Sequence, residues 1–400
     1  MTAVWAGIDA GKRAHHCVVI DPAGRLLVSR RVVNDESALL ELIAAVLAVA
    51  GGDPVVWATD LNSGGAALLI ALLAERGQQL LYIPGRIVHH AAQTYRGDGK
   101  TDAKDARIIA DQARMRTDLQ PVRGADQIST DLRLLTSRRT DLVYDRVRAI
   151  NRLRATLLEF FPALEAAFDY SKKAPLILLS GYQTAEGIRR IGATRLAAWL
   201  KKRGCRGSTS VAARALAAAS AQRIVLRTEA MGAQLVSQLA QQIAGIDGAI
   251  AQLDEQICER FTEHPDAPIL LSMPGFGAVL GATFIANTVG DLRAFETADR
   301  LASVAGLAPA PRDSGRISGN HHRPRRFNRR LMRTCYLAAL SSLKNSPASR
   351  AFYERKRAEG KSHKQALIAL ARRRISTLWA MLRDRTTYQE PPRPGLAPAA

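Results

Sequence analysis

Cysteine is scarce and scattered. Cys17, Cys205, Cys258 and Cys335 stand far apart, with no CxxC pair and no Cys/His cluster. This excludes a disulfide framework and a cysteine-based zinc site, and it fits a reducing, cytoplasmic setting. Acidic residues are few beside basic ones: 36 Asp+Glu face 57 Lys+Arg, a formal net charge of +21 over 400 residues. A surplus of that size points to a polyanionic partner, either nucleic acid or an anionic membrane face. The segment Met1 to Asp9 reaches an acid before any basic run or long apolar stretch, so no signal peptide is expected. Long uncharged stretches are also rare. One, from Ala267 to Gly290, is long enough to span a bilayer, but Pro274, Gly275, Gly277, Gly281 and Asn287 interrupt it. A soluble loop-and-helix element is expected there, and no membrane partner.

Apolar residues are plentiful, at 47% of the chain, which is enough for packed cores in roughly two to four domains. The basic surplus is local. From Pro311 to Ala400 there are 21 Lys+Arg against five Asp+Glu, so +16 of the +21 falls in the last 90 residues. Self-repulsion on that scale is tolerable mainly when a polyanion neutralises it. Nucleic acid is the preferred partner, and binding through this segment should weaken steeply with salt.

Along the chain, Val4 to Ile8, Cys17 to Ile20 and Leu26 to Val33 read as short strands, with Pro22-Ala23-Gly24 as a turn. Helices are expected at Glu36 to Ala50 and Gly65 to Arg76, and further strands at Val55 to Thr59 and Gln79 to Ile83. This order implies an α/β layer with a mixed sheet, an order shared by the ribonuclease H-like fold. From Asp126 the pattern turns helical. Ile128, Leu132, Leu135, Leu142, Ile150, Leu153, Leu157 and Phe160 form one stripe, in which Arg139 and Arg146 are imperfections. Leu235, Leu239, Ile243, Ile246, Ile250, Leu253, Ile257 and Phe261 form a cleaner one. Two such helices suggest an antiparallel coiled-coil arm or a dimer interface, with an ordinary bundle as the alternative.

Four acids could hold metal. Asp9 ends the first strand and Asp60 the fourth, and in a sheet with parallel neighbours such ends line the functional crevice. Asp102 and Asp105, three apart in Lys100-Thr101-Asp102-Ala103-Lys104-Asp105-Ala106, share one helical face. Converging carboxylates repel unless cations neutralise them, and hard oxygen ligands suit Mg²⁺ or Mn²⁺. Two such ions support phosphodiester chemistry. Each acid also has an ordinary reading: a strand-end turn for Asp9, an N-cap for Asp60, and a favourable helix start for Asp102 and Asp105. Gly7-Ile8-Asp9-Ala10-Gly11 also resembles the first phosphate loop of actin-like sugar kinases, but the further glycine-rich loops that reading needs are missing.

Ser272-Met273-Pro274-Gly275-Phe276-Gly277-Ala278 looks like the turn of a helix-hairpin-helix element. The N–H groups around Gly275 and Gly277 would then suit a DNA phosphate, and a plain helix-joining turn is the alternative. Farther on, proline and glycine constrain Ser314 in Pro309-Ala310-Pro311-Arg312-Asp313-Ser314-Gly315-Arg316. Arg312, Arg316, Arg323, Arg325, Arg326, Arg329, Arg330 and Arg333 surround it in sequence. A serine becomes a useful nucleophile when cations grip the scissile phosphate. The plainer reading is a Ser-Gly turn in a DNA-binding loop. His321 and His322 could act as bases, and their plainer reading is a phosphate contact or no role.

Together, Gly7-Ile8-Asp9, Lys100 to Ala106, and Pro274 to Gly277 through Ser314-Gly315 to Asn328-Arg329-Arg330-Leu331-Met332-Arg333 resemble the DEDD-type transposases of the insertion-sequence-110 family, with the insertion-sequence-1111 subgroup nearby. The resemblance runs from Asp9 to about Arg385. It implies an N-terminal RuvC-like, ribonuclease H-like nuclease domain over 1–125 and a helical coiled-coil or dimerisation region over 126–265. A C-terminal, mainly helical serine transposase domain over 266–388 with the helix-hairpin-helix-like element would follow, then a disordered tail over 389–400. By the same resemblance Asp9, Asp60, Asp102 and Asp105 would bind Mg²⁺ or Mn²⁺ and Ser314 would attack DNA. Donor and target DNA and a bridge RNA would be partners of a homodimer or homotetramer, nucleoid-associated when bound. The family's second acid is usually Glu. Here it is Asp60, one methylene shorter, and the arginine run after Gly319 replaces the family's Lys/Gly spacing.

The leading expectation is therefore an RNA-guided DNA transposase or recombinase acting through Ser314. A RuvC-like two-metal endonuclease and a non-catalytic nucleic-acid-binding protein are the alternatives.

Overall fold

The computed structural model describes residues 3–95, 99–122, 126–288, 295–316, 318–322 and 324–390. Two compact units divide the chain, Met1–Ala125 and Asp126–Ala400.

The first unit is built on a mixed sheet. Strands β1 (Val4–Ala10), β2 (Ala14–Ile20) and β3 (Leu26–Val33) run antiparallel, while β4 (Val55–Thr59) and β5 (Gln79–Tyr82) lie parallel to β1 on its other side. The order is β3-β2-β1-β4-β5, and a two-residue strand, β6 (Gln120–Pro121), closes the edge against β5. Alternation along β1 decides what each face buries. Val4, Ala6 and Ile8 join Cys17 and Val19 under Leu39, Leu42, Ile43 and Val46 of α1 (Glu36–Ala50) and Leu69 and Leu73 of α2 (Ala67–Glu75). Trp5 faces the other way, where Val18 and Ile20 meet Ala106 and Ala110 of α4 (Asp102–Met115), beyond the short α3 (Gly85–Ala92).

Gly7 sits under α4 with no room for a side chain. A Cβ there would lie 2.3 Å from both Ala106 O and Ala110 N, so the helix backbone can settle on the strand only because the residue is glycine. One strand step farther along this face is Asp9, and one helical turn before Ala106 is Asp102.

The second unit is helical. Helices α5 (Gln127–Phe160) and α10 (Glu229–Thr262) pair along their lengths. Arg139 pairs with Asp254 and Arg146 with Asp247, so seven residues up one helix correspond to seven down the other and the pair is antiparallel within one chain. The two arginines that interrupt the apolar stripe are thus matched by acids across the seam, and Arg260 pairs with Asp131 farther along at 2.8 Å. Between them α6 (Pro162–Ala167), α7 (Lys173–Leu179), α8 (Ala185–Lys202) and α9 (Ser208–Ala221) bury Phe160, Phe161, Tyr170, Leu196 and Val236 in one core. At the other end Leu132, Ile257 and Phe261 enter a second core. It is shared with α11 (Ala267–Ser272), α12 (Ala278–Thr288), α13 (Ala298–Val304), α14 (Arg329–Asn345), α15 (Pro347–Ala358) and α16 (His363–Asp384). A small hairpin of β7 (Ala310–Pro311) and β8 (His321–His322) projects from this bundle. No described helix is long and apolar enough to cross a membrane.

Of the tail expected over 389–400, Gln389 and Glu390 are among the described residues, and Glu390 is hydrogen-bonded to Ser346 and Ala348. Residues 391–400 lie outside the described residues.

Candidate functional site

Three parallel strands present their C-terminal ends at one edge of the sheet. Ile8 of β1 is in register with Thr59 of β4, and Thr59 with Tyr82 of β5. Asp9 and Asp60 therefore emerge side by side, with Tyr82 beside Thr59 at the end of β5. The Asp60 carboxylate accepts a hydrogen bond from the Ala10 backbone N–H at 3.3 Å, which ties the end of β4 to the end of β1. Asp102 and Asp105 occupy the first turn of α4, where Thr101 caps the helix by accepting from Lys104 N–H at 3.2 Å. Gly7 brings that turn down to the same edge.

The electrostatics record the convergence. Burial pushes the Asp9 carboxyl up to about 6, and the negative charges of Asp60, Asp102 and Asp105 push the same way, with Lys100 opposing. Burial also raises Asp60, against the hydrogen bond from Ala10, and Asp105 adds to the rise. Tyr82 is raised by burial and then by the Asp60 charge. Among the described residues no three His, Cys, Asp or Glu side chains already stand together at metal-ligating distance. The four acids share an electrostatic site whose repulsion a cation would relieve, and their oxygens are the donors a hard divalent ion takes.

Two residues the sequence reading passed over belong to this edge. His15, opposite Ala10 in the β1–β2 register, is 1% exposed, and among the described residues neither ring nitrogen lies at good hydrogen-bond geometry to a partner. Burial lowers its proton affinity, against the Asn34 amide and the Asp60 charge. Asn34 donates to Gly65 O at 3.0 Å and to Lys12 O at 3.4 Å, and its N–H donates to Arg13 O. It thereby fastens the loop after Asp60 to the loop after Asp9, yet among the described residues its own buried Oδ1 has no partner.

Ser314 and the arginines lie in the second unit. Ala310 pairs with His322 and Pro311 with His321, Arg312 N–H donates to Asn320 O at 2.8 Å, and Asn320 N–H donates to the Asp313 carboxylate at 3.0 Å. Gly315 and Gly319 take positive φ, +48° and +76°. The result is a hairpin in which Ser314 is exposed, with Arg312 and Arg316 exposed on either side of it in sequence. Arg325, Arg326, Arg329, Arg330 and Arg333 are exposed as well, and Arg323 lies outside the described residues. Arg329 and Arg330 open α14, whose first turn carries no acid. Cations at the positive end of a helix dipole are unfavourable unless an anion joins them.

The turn after α11 divides its glycines. Gly275, at φ +89°, faces α14 so closely that a Cβ would lie 2.2 Å from Ala338 O, whereas Gly277 opens on free space. Packing alone gives a reason for glycine at 275, and Gly277 is the one of the two turned away from the bundle.

Comparison with known proteins follows the same two regions. A DEDD transposase model of the IS110 type, described simply as a transposase, matches residues 6–162. A second, described as the transposase IS116/IS110/IS902 family, matches 267–354. The uncharacterized 42 kDa protein of insertion element IS900 from Mycobacterium paratuberculosis is 60% identical over 96% of this chain and 97% of its own length. The chain belongs to the IS110 family of insertion-sequence transposases. Within the family, the 44.8 kDa protein of insertion element IS116 from Streptomyces clavuligerus is 49% identical over 97% of each chain. The transposase for IS1111A from Coxiella burnetii is 23% identical over 96% of this chain and 90% of its own, which extends the IS110-family likeness to the IS1111 branch. The fold agrees with this membership: a mixed α/β unit with a ribonuclease H-like strand order, followed by a mainly helical remainder.

Proposed function

We propose that this IS110-family transposase cleaves and rejoins DNA strands through Ser314, with Asp9, Asp60, Asp102 and Asp105 as the holders of Mg²⁺ or Mn²⁺. The observation that carries the reading is the meeting of four carboxylate charges at the ends of β1 and β4 and the start of α4, in a chain of a transposase family. A divalent ion bound there would supply positive charge for a phosphodiester in reaction. Ser314 Oγ would form the new bond to phosphorus as a DNA hydroxyl leaves. Arg312 and Arg316 would neutralise the charge that builds on the phosphate oxygens, and the arginines from 323 to 333, with the Gly275–Gly277 turn, would hold flanking phosphates. In this reading the RuvC-like nuclease spans 1–125, the coiled-coil arm 126–265 and the serine domain 266–388. Donor and target DNA are selected by a bridge RNA, and a homodimer or homotetramer brings the two reactive groups together on the nucleoid.

Ser314→Ala and Asp102→Ala should each abolish product in a donor–target plasmid recombination assay, and wild type should leave a protein–DNA adduct mapping to Ser314. Wild-type product from either variant would remove that residue from the mechanism. One observation favours a second reading. All four acids lie in the first unit and Ser314 in the other, as a metal-dependent endonuclease with a purely DNA-binding C-terminal part would have them. Strand cleavage without any covalent adduct would select that reading.

A further inference from the structure

Beyond α16 the chain turns back over the bundle. Arg385, at φ +56°, ends the helix and pairs with Asp266. Tyr388 N–H donates to Ser272 Oγ at 2.9 Å, and the Glu390 carboxylate reaches the start of α15. There Glu390 Oε1 accepts from Ala348 N–H at 2.9 Å and from Ser346 Oγ at 3.0 Å, while Ser346 Oγ also lies 3.2 Å from Oε2. Ser346 is the N-cap of this 12-residue helix and Ala348 lies in its first turn, a place where free N–H groups and the helix dipole favour an anion.

A second group points into the same place. Arg374 is 6% exposed, and its guanidinium donates to Ser349 Oγ, in the same first turn, at 3.0 Å and to Pro274 O. Both acceptors are neutral, and among the described residues the buried Nε has no hydrogen-bond partner. Ser349, Phe352, Arg373, Arg374, Tyr388 and Gln389 line a cavity of about 100 Å³ beside it, several times the ~30 Å³ that one water occupies. Around the rim, Arg355, Lys356 and Arg373 gather over the Phe352 ring at 5.1–5.6 Å. A planar carboxylate spends its two oxygens on Ser346 and Ala348 and leaves Arg374 Nε unmet. A tetrahedral phosphate has further oxygens. Lys356 and Arg355 are paired with Glu359, but Arg373 and Arg374 together still exceed the single charge of Glu390.

We propose that the first turn of α15, with Ser346, Ala348, Arg374 and Arg373, is a phosphodiester-binding site of nucleic acid that Glu390 occupies as an internal, displaceable ligand. The C-terminal strap closes the site until a backbone phosphate replaces the carboxylate. Burial holds the Arg374 guanidinium down to about 10, against the charges of Tyr388 and Glu390, which agrees with a cation short of counter-charge. The inference needs nucleic acid as partner and is independent of any role for Ser314.

The test uses the full chain and binding alone. Fluorescence anisotropy would follow a labelled DNA duplex and, separately, an RNA hairpin with the same number of phosphates, for wild type, Glu390→Gln, Arg373→Gln and the double variant. Glu390→Gln should tighten one or both probes by roughly three- to tenfold, the range of one typical net hydrogen bond. Arg373 is exposed, so its replacement spares the core. It should cost more affinity in the Glu390→Gln background than in wild type, because only there is the site open. Unchanged affinity with a lowered melting temperature in Glu390→Gln would make Glu390 a plain helix cap and overturn the proposal. A melting temperature of Glu390→Gln raised by inorganic phosphate, with neither nucleic acid bound more tightly, would overturn the assignment to a phosphodiester.

Discussion

Asp9 carries the strongest single-residue signature of the acidic edge. Its carboxyl ordinarily titrates near 3.8 and in the folded protein near 6, so between those values the native state binds more protons than the unfolded one. The stability this contributes is present below pH 3.8 and is lost as pH rises through about 6. A cation among the four carboxylates would reverse that loss. Millimolar Mg²⁺ should therefore raise the melting temperature clearly at pH 7 and much less at pH 5, and Asp9→Asn should erase the difference. A Mg²⁺ effect equal at both pH values would separate metal binding from this site. The acids themselves were legible in the sequence, because strand ends and an i, i+3 pair at a helix start are local patterns. His15 and Asn34 were not, since what makes them notable is the β1–β2 register and the loop after β4, neither of which a neighbouring residue reveals.

The arm shows what an imperfect pattern can mean at the scale of an element. Arg139 and Arg146 break the apolar stripe of α5, and the structure sets Asp254 and Asp247 against them. The pairs are part-exposed, with 21–27% of the arginine side chain and 37% of the aspartate accessible, so each contributes roughly 0.5–1 kcal/mol rather than a buried-pair value. Their larger effect is on register, because a slip of one helix past the other would strand both arginines. Arg146→Asp should lower the melting temperature, and Arg146→Asp with Asp247→Arg should recover most of the loss. A double variant no better than the sum of the singles would mean the pair is incidental. Both long helices were legible from period alone, which left open whether they pair within one chain as an antiparallel arm, across a dimer or in a plain bundle. Short elements escaped: α3 follows Pro84 with only Val88 fully buried, and β6 is two residues at a sheet edge, too little for any periodicity to register.

For the whole molecule, the distribution of charge sets how it meets its substrate. The helix-start arginines of α14 and the Ser314 hairpin belong to the part of the chain that holds most of the basic surplus, whereas the acidic edge belongs to the other unit. Nucleic-acid affinity should fall steeply with salt, and replacing Arg329, Arg330 and Arg333 together by Gln should reduce the slope of log K against log salt by roughly 0.9 for each phosphate no longer neutralised. An unchanged slope would place the grip elsewhere. The fold class and the segregation of charge were both legible in the sequence, because composition and alternation are properties of long stretches. Whether a given arginine faces solvent or a buried turn, as Arg373 and Arg374 do on adjacent positions of α16, depends on packing from distant parts of the chain.

One detail of the arm reaches beyond this chain. The Gln222 side chain donates to Phe160 O at 2.6 Å, and the Thr228 hydroxyl donates to Glu159 O at 3.0 Å, so the segment from 161 to 228 leaves α5 and returns to α10 through the same doorway. The alignment of the two long helices is thereby closed off below the cassette, and shortening the segment between 161 and 228 should leave the Arg146–Asp247 pairing in place.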